Sequence, residues 1–476
     1  MDRLYNALEQ KLDGVVLTPD QLTSEHQTNF GRIHHWMPRF VVKPRTHDDV
    51  VETVRFAREH GLFVSTRGAA HSQSELGISR GGILLDMKSM NRVLALDEQQ
   101  LTVDVEAGVV WRDLVHHLKK YSLVPRVLTN NLGVTVGGTV GMAGIGVASF
   151  KYGSQGDNVS EMDVVTGAGQ SVTCGPDGPE EELFWSVVAG LGQVGIATRL
   201  RLQLRRFQSM TRTYYLLYDD IGQFMSDSEK IMDDPRWDHI ESWSSPCPQG
   251  IKPVDGRRQP FAKWFFPYHL TVEYEQDSPP DDAAMLDGLS PYDNLYTDDI
   301  PTVDFFERMV PVFELWKKAG TWEFIHPWME CVLPWDTAAT YIENVLVDLS
   351  PGMLIGGHIL LWPAKGPTSG SRLFMRPQGE NLIGFGILPA IPPKYWDQVR
   401  PLLDNASRLC IAMGAKRYLS GYIDFTPQEW EEHYGDKWDW FAGCKHRWDP
   451  DGLLNPGFVP LPAPPAPARN KVTRDD

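Results

Sequence analysis

The sequence predicts an α+β protein of two domains, and three observations carry that reading. The first 205 residues alternate short strands, helices and glycine turns. From about residue 206 aromatic side chains crowd together (Tyr214, Tyr215, Trp243, Trp264, Phe265, Phe266, Tyr268), glycines thin out, and strands alternate with long helices. At 476 residues the chain is also longer than one hydrophobic core ordinarily organises.

Taken in order, residues 40–44 read as an extended segment, residues 48–60 as a helix, and Ile83-Leu84-Leu85-Asp86 as an apolar strand. Between the helix and that strand stands Arg67-Gly68-Ala69-Ala70-His71-Ser72. A small-residue turn lets main-chain N–H groups reach phosphate oxygens, and its imidazole can bond to a cofactor. Taken alone, such a turn is also compatible with an ordinary surface turn. Residues 103–108 read as a strand and turn. Residues 111–121 read as a helix, with Trp111, Leu114, Val115 and Leu118 on one face. Glycines at 133, 137, 138, 141, 144 and 146 predict a segment with no stable helix or strand core, suited to close approach of backbone to something else. Residues 161–167 read as a strand, 183–188 as a short helix, and 197–204 as a strand after Gly190-Leu191-Gly192-Gln193-Val194-Gly195-Ile196.

The second half contains an acidic, proline-rich stretch at 276–301 that reads as mobile. Residues 430–458 are rich in Trp and charge, and a Pro/Ala-rich tail follows. The expected division is 1–205, 206–429, a return segment 430–460 that rejoins the first domain, and a disordered tail 461–476. The net charge of −17, from 45 Lys+Arg against 62 Asp+Glu, argues against nucleic acid or an anionic membrane as partner. Cysteines 174, 247, 331, 410 and 444 have no metal-ligand spacing, so neither a disulfide framework nor a metal site is expected. With no long apolar window, a cytoplasmic protein is expected.

Several motifs stand in a fixed order: Arg67-Gly68-x-x-His71-Ser72, Thr135-Val136-Gly137-Gly138-Thr139, Asn158-Val159 with Asp163-Val164-Val165-Thr166-Gly167, and Gly190-Leu191-Gly192-Gln193-x-Gly195-Ile196. Val303-Asp304-Phe305-Phe306-x-Arg308, His326-Pro327-Trp328, Trp362-Pro363, Glu429-Trp430-x-x-His433-Tyr434-Gly435 and Asp449-Pro450-x-x-x-Leu454-x-Pro456-Gly457 continue the series. This order resembles the vanillyl-alcohol-oxidase type of FAD-binding protein, and within it the cytokinin dehydrogenases, over residues 35–460. The resemblance implies a split FAD-binding domain with an interposed cap of antiparallel sheet and helices. It implies that His71 bonds to the flavin 8α-methyl group, a link that raises the reduction potential and holds the ring. Arg67, Gly68, Ala69, Ala70, His71, Ser72, Thr135, Gly137, Gly138 and Thr139 match the segments around the cofactor, and Asn158 and Ile196 match positions that hold it. Where doubly linked relatives carry a cysteine, this chain has Asn131, so one link is expected.

The same comparison of motifs shows departures. Ala70 replaces a usual glycine before the histidine. Asn130 stands where cytokinin dehydrogenases carry an aspartate that accepts the substrate N–H. An amide can exchange a hydrogen bond there but cannot act as a base. Phe458 replaces a polar residue expected near the flavin edge, and Val312 and Phe313 occupy the place of a glutamate at the substrate mouth. Glu330 and Asp424 are candidate relocated acids, with exposed strand carboxylates as the plain alternative. Trp328, Trp362 and Tyr422 are expected to line an aromatic pocket or, alternatively, to pack the second domain's core.

The implied reaction is a two-electron oxidation. A C–H beside nitrogen or oxygen gives hydride to flavin N5, and O2 or another acceptor takes the electrons. Three readings stand: amine oxidation of the cytokinin dehydrogenase kind, oxidation of another aromatic or terpenoid alcohol or amine in specialised metabolism, and a non-catalytic flavin-binding protein.

Overall fold

A computed structural model describes residues 3–254, 256–349 and 357–462. All but the first two residues of the expected tail lie outside them. The β-α-β start forms as the pattern predicts. Strand Phe40–Lys43 leads into helix His47–His60 and then strand Val64–Arg67. The helix begins where Thr46 and Asp49 cap each other, the Asp49 N–H donating to Thr46 Oγ1 and the Thr46 N–H to Asp49 Oδ2, each at 3.1 Å. It ends at Gly61, whose φ of 62° is the left-handed conformation that glycine adopts at little cost.

These strands belong to a four-stranded sheet in the order Val15–Leu17, Phe40–Lys43, Ile83–Asp86, Val64–Arg67. The last three run parallel, which buries Ile83, Leu84, Leu85 and Asp86 completely or nearly so. A six-stranded sheet follows, built on the long strand Gly195–Arg206, which pairs antiparallel with Thr102–Glu106 on one side and Val159–Thr166 on the other. Its side chains alternate as a half-buried strand requires. Ile196, Thr198, Leu200, Leu202 and Leu204 face the core, while Arg199 and Arg201 on the other face bind Asp104 and Asp163 or Glu161.

The second half is an eight-stranded sheet in the order Asp293–Pro301, Met210–Tyr218, Arg257–Tyr274, His239–Val254, His358–Lys365, Asn381–Leu388, Met329–Pro334, Lys416–Arg417. Every pairing in it is antiparallel. Helices Ile221–Asp233, Trp335–Asp348 and Trp396–Ala412 place Phe224, Ile231, Tyr341, Ile342, Leu403 and Cys410 in one apolar cluster with sheet residues such as Tyr268, Ile359 and Phe385.

Residues after Trp438–Trp448 return to the first sheet. The Asn455 N–H donates to Val64 O at 2.9 Å. Buried Lys445 donates to Gln193 O (2.6 Å) and Leu454 O (2.9 Å) and pairs with Asp449 at 2.7 Å, tying the closing segment to the first 205 residues.

Two expectations are corrected. The glycine-rich segment does hold a short helix, Val136–Val140, because its first turn is anchored from outside: the Val136 N–H donates to Val109 O and the Gly137 N–H to Ala107 O. The stretch 276–301 is structured, with helix Asp282–Leu286 and edge strand Asp293–Pro301. Arg212 holds both by binding Asp282 (2.8 Å) and Asp299 (2.7 Å), and Tyr296 stacks on Tyr215 with ring centroids 4.1 Å apart.

Candidate active site

A cavity of about 350 Å3 runs between the two halves and takes its walls from both. That size is ordinary for a small-molecule or cofactor site. Its first wall is the loop that follows strand Val64–Arg67. The loop is held from behind: the Phe30 N–H donates to Ala70 O (2.8 Å), the Gly31 N–H to Ser72 O (3.0 Å), and Arg67 turns inward to donate to Thr28 O and Gly77 O. Its own N–H groups at Ala69, Ala70, His71 and Ser72 donate to no protein group among the described residues. Ala70 carries φ of 54°, the left-handed region that explains why glycine is usual there.

The opposing wall is the segment carrying Thr135, Gly137, Gly138 and Thr139. A Cβ on Gly68 would stand 2.1 Å from Thr135 Oγ1, so glycine at that position is what lets the two segments approach. Thr139 contributes its backbone, since its Oγ1 accepts the Trp111 indole N–H at 2.9 Å. Farther along, Ile196 and Asn455 line the cavity. The Asn455 carboxamide donates to Gly192 O at 2.9 Å, and a Cβ on Gly192 (φ 66°) would press on it at 2.4 Å. The expected cofactor neighbour in this closing segment is Phe458. Asn455, three residues earlier, is the cavity residue, at a position that the motif Leu454-x-Pro456-Gly457 leaves open.

His71 stands in the cavity wall with its ring against Phe30 (centroids 4.1 Å apart), and with Trp328 and Trp322 5.7 and 6.1 Å away. Burial among these rings pushes its pKa down to about 3, so the imidazole is neutral at physiological pH and keeps a nitrogen lone pair. The Asn131 amide donates to His71 Nε2 at 3.3 Å.

The far half of the cavity is apolar and aromatic, with Met309, Phe313, Trp316, Leu360, Trp328 and Trp362. Gly384 makes room for Trp362, because a Cβ there would fall 1.6 Å from the indole. Two acids interrupt this surface. Glu330, on strand Met329–Pro334, is buried and accepts from Ser420 Oγ at 2.7 Å, and burial raises its pKa to about 7. Glu241, on strand His239–Val254, was not foreseen. It accepts the Asn130 amide N–H and the Arg308 Nε–H (3.0 Å), while Arg308 Nη2 donates to Asn130 Oδ1 (2.9 Å). No motif marked it, since only the fold brings it to Asn130.

Four expected site residues lie elsewhere. Asp424 is mostly exposed and paired with Arg400, outside the cavity, because it sits in a surface loop between strand Lys416–Arg417 and helix Pro427–Tyr434. Tyr422 packs edge-on to Trp396. Phe458 is buried against Trp430, with ring centroids 5.3 Å apart. Asn158 folds back to donate to Tyr152 O and Ser154 O, both at 2.8 Å, and so braces a turn.

The donor set fits a dinucleotide cofactor. Free main-chain N–H groups suit phosphate oxygens, glycines admit close approach, and buried Gln73 Oε1 and Trp328 Nε1 have no partner among the described residues. Fold and cavity together define a nucleotide-cofactor enzyme whose reacting site lies between a binding half and a covering sheet.

Comparison with known proteins gives the class its family. Residues 38–175 match the family model described as FAD binding domain, and residues 273–459 match the one described as cytokinin dehydrogenase 1, FAD and cytokinin binding. An uncharacterized oxidoreductase, ORF5 in the fasciation locus of Rhodococcoides fascians, is 31% identical over 456 residues, covering 94% of this chain and 99% of that protein. Cytokinin dehydrogenase 4 of Oryza sativa subsp. japonica is 30% identical over 464 residues, covering 90% and 87%. Cytokinin dehydrogenase 1 of Arabidopsis thaliana is 27% identical over 469 residues, covering 90% and 80%. The chain belongs to the cytokinin dehydrogenase-like family of FAD-binding flavoproteins and is an FAD-dependent oxidoreductase. Among the described residues no helix is long and apolar enough to cross a membrane.

Proposed function

We propose that the enzyme carries FAD covalently through His71 and oxidises a small secondary amine at a C–H beside its N–H, as cytokinin dehydrogenation requires. One observation carries this reading: a neutral, ring-enclosed imidazole shares one cavity with free main-chain donors on one side and two buried acids on the other. The loop at Ala69–Ala70–His71–Ser72, the segment with Thr135, Gly137 and Gly138, and Ile196 would hold the cofactor. Residues 1–205 and 430–460 are read as the FAD-binding part, 206–429 as the cap, and the cytoplasm as the setting. Bound FAD supplies the two-electron acceptor, which O2 or another oxidant then relieves.

The chain's own residues do the rest. Trp328, Trp362 and Phe313 exclude water and orient a flat substrate. Glu330, with its pKa near 7, can take up the proton released as the amine is oxidised, while Ser420 fixes its Oε2. A second reading, oxidation of another aromatic or terpenoid alcohol or amine, is favoured by Asn130 standing at the position of the resemblance's aspartate.

Acid precipitation tests the covalent link. Wild-type protein should give a yellow pellet, and His71→Ala a colourless one. A wild-type pellet that releases all its flavin rules the link out.

A further inference from the structure

Asn130 is the residue that motif comparison places against the substrate N–H, yet its carboxamide is engaged on both sides. Its amide N–H is given to Glu241 and its Oδ1 takes an N–H of Arg308 at 2.9 Å. Glu241 differs. Each of its carboxylate oxygens accepts one hydrogen bond, from Asn130 and from Arg308 Nε (3.0 Å), and a carboxylate oxygen has room for a second. Glu241 is 5% exposed and lines the cavity, as do the apolar Met309, Phe313 and Leu360 and the imidazole of His358, which burial pushes down to a pKa of about 4, so that it brings no positive charge against the carboxylate.

The carboxylate is also rigidly placed. Its strand, His239–Val254, pairs with Arg257–Tyr274 on one side and with His358–Lys365 on the other. Two residues earlier, His239 Nε2 donates to buried Glu273 at 2.9 Å, which in turn binds Arg205 at 2.6 Å. Arg308 balances the Glu241 charge, so removing the carboxylate leaves a guanidinium partly uncompensated.

We propose that Glu241 is the acceptor of the substrate's N–H, held in position by Asn130 and Arg308. The role that an aspartate at position 130 would fill is thereby carried by a carboxylate one hydrogen bond away, on the cap sheet. This inference rests on the amine-oxidation reading above.

The test uses the flavin-loaded enzyme and two isosteric probes, N6-propyladenine and 6-propoxypurine, which differ in an N–H replaced by an ether oxygen. Binding is followed anaerobically through the flavin absorbance. Wild type should bind the amine about tenfold or more tightly than the ether, the usual weight of a hydrogen bond to a charged group. Glu241→Ala should bring the ratio close to one, and Glu241→Gln, which keeps an uncharged acceptor oxygen, should lower it severalfold, while both retain pellet-bound flavin, which reports that the fold and cofactor site survive. A wild-type preference that persists undiminished in both variants overturns the role of Glu241 and leaves the amine reading standing. Wild-type enzyme that binds neither probe overturns the amine reading and the role of Glu241 with it.

Discussion

Glu330 shows how burial turns one carboxyl into a pH-sensitive group. Its pKa is raised from 4.5 to about 7, first by desolvation, against the opposing pull of Ser420 and Arg417. The folded state therefore binds this proton more tightly than the unfolded chain does. The stability that follows is fully present below pH 4.5 and is lost as pH rises to and through 7. Above that range the ionised group costs on the order of 3 kcal/mol. Glu330→Gln should unfold at nearly the same denaturant concentration as wild type near pH 4.5 and at a clearly higher one at pH 8. Denaturation series at the two pH values check this, and equal midpoints at pH 8 would contradict the burial argument. His71 and Glu330 were legible in the sequence because the first stands inside a motif and the second directly follows one, His326-Pro327-Trp328. Glu241 was not, because His239-Ile240-Glu241-Ser242 reads as an ordinary strand, and its partner Asn130 is 111 residues away.

Among the elements, the loop from Arg67 to Ser72 carries a cost that its sequence announces. Ala70 holds φ of 54°, where an alanine methyl crowds its own backbone, while Gly77 faces it across the loop with φ of 74°. Ala70→Gly should relieve about 1 kcal/mol in the folded state, partly offset by the added freedom of the unfolded chain. The expected result is a flavin-loaded enzyme with unchanged pellet-bound colour and an equal or higher melting temperature. A fall in melting temperature of several degrees would contradict the strain argument. The β-α-β start was readable because capping residues and apolar periodicity agree locally. The helix Val136–Val140 and the strand Asp293–Pro301 were not readable, since each depends on distant partners: Ala107 and Val109 for the first, Arg212 and Tyr215 for the second. Long-range pairing overrode local composition in both places.

Over the whole molecule, the site exists only because the two halves meet. The glycine-rich walls come from the first 205 residues and from the return segment at Asn455, whereas Glu241, Phe313, Glu330 and Trp362 come from the eight-stranded sheet and the segments around it. The order of motifs along the chain made this division legible, but not which cap side chains reach the cavity. Side-chain alternation places neighbours on opposite faces, so a single residue's register decides whether it lines the site or the core. Phe458 and Asp424 lie in loops outside any strand, where no periodicity in the sequence says which way a side chain turns. The joint cavity is proposed to bring an amine substrate to bound flavin. Anaerobic titration of the yellow enzyme with N6-isopentenyladenine, followed at the flavin absorbance maximum, tests it most directly. Rapid bleaching at stoichiometric amine is expected. Flavin that stays yellow with this amine, yet is bleached by an allylic or benzylic alcohol, would contradict it.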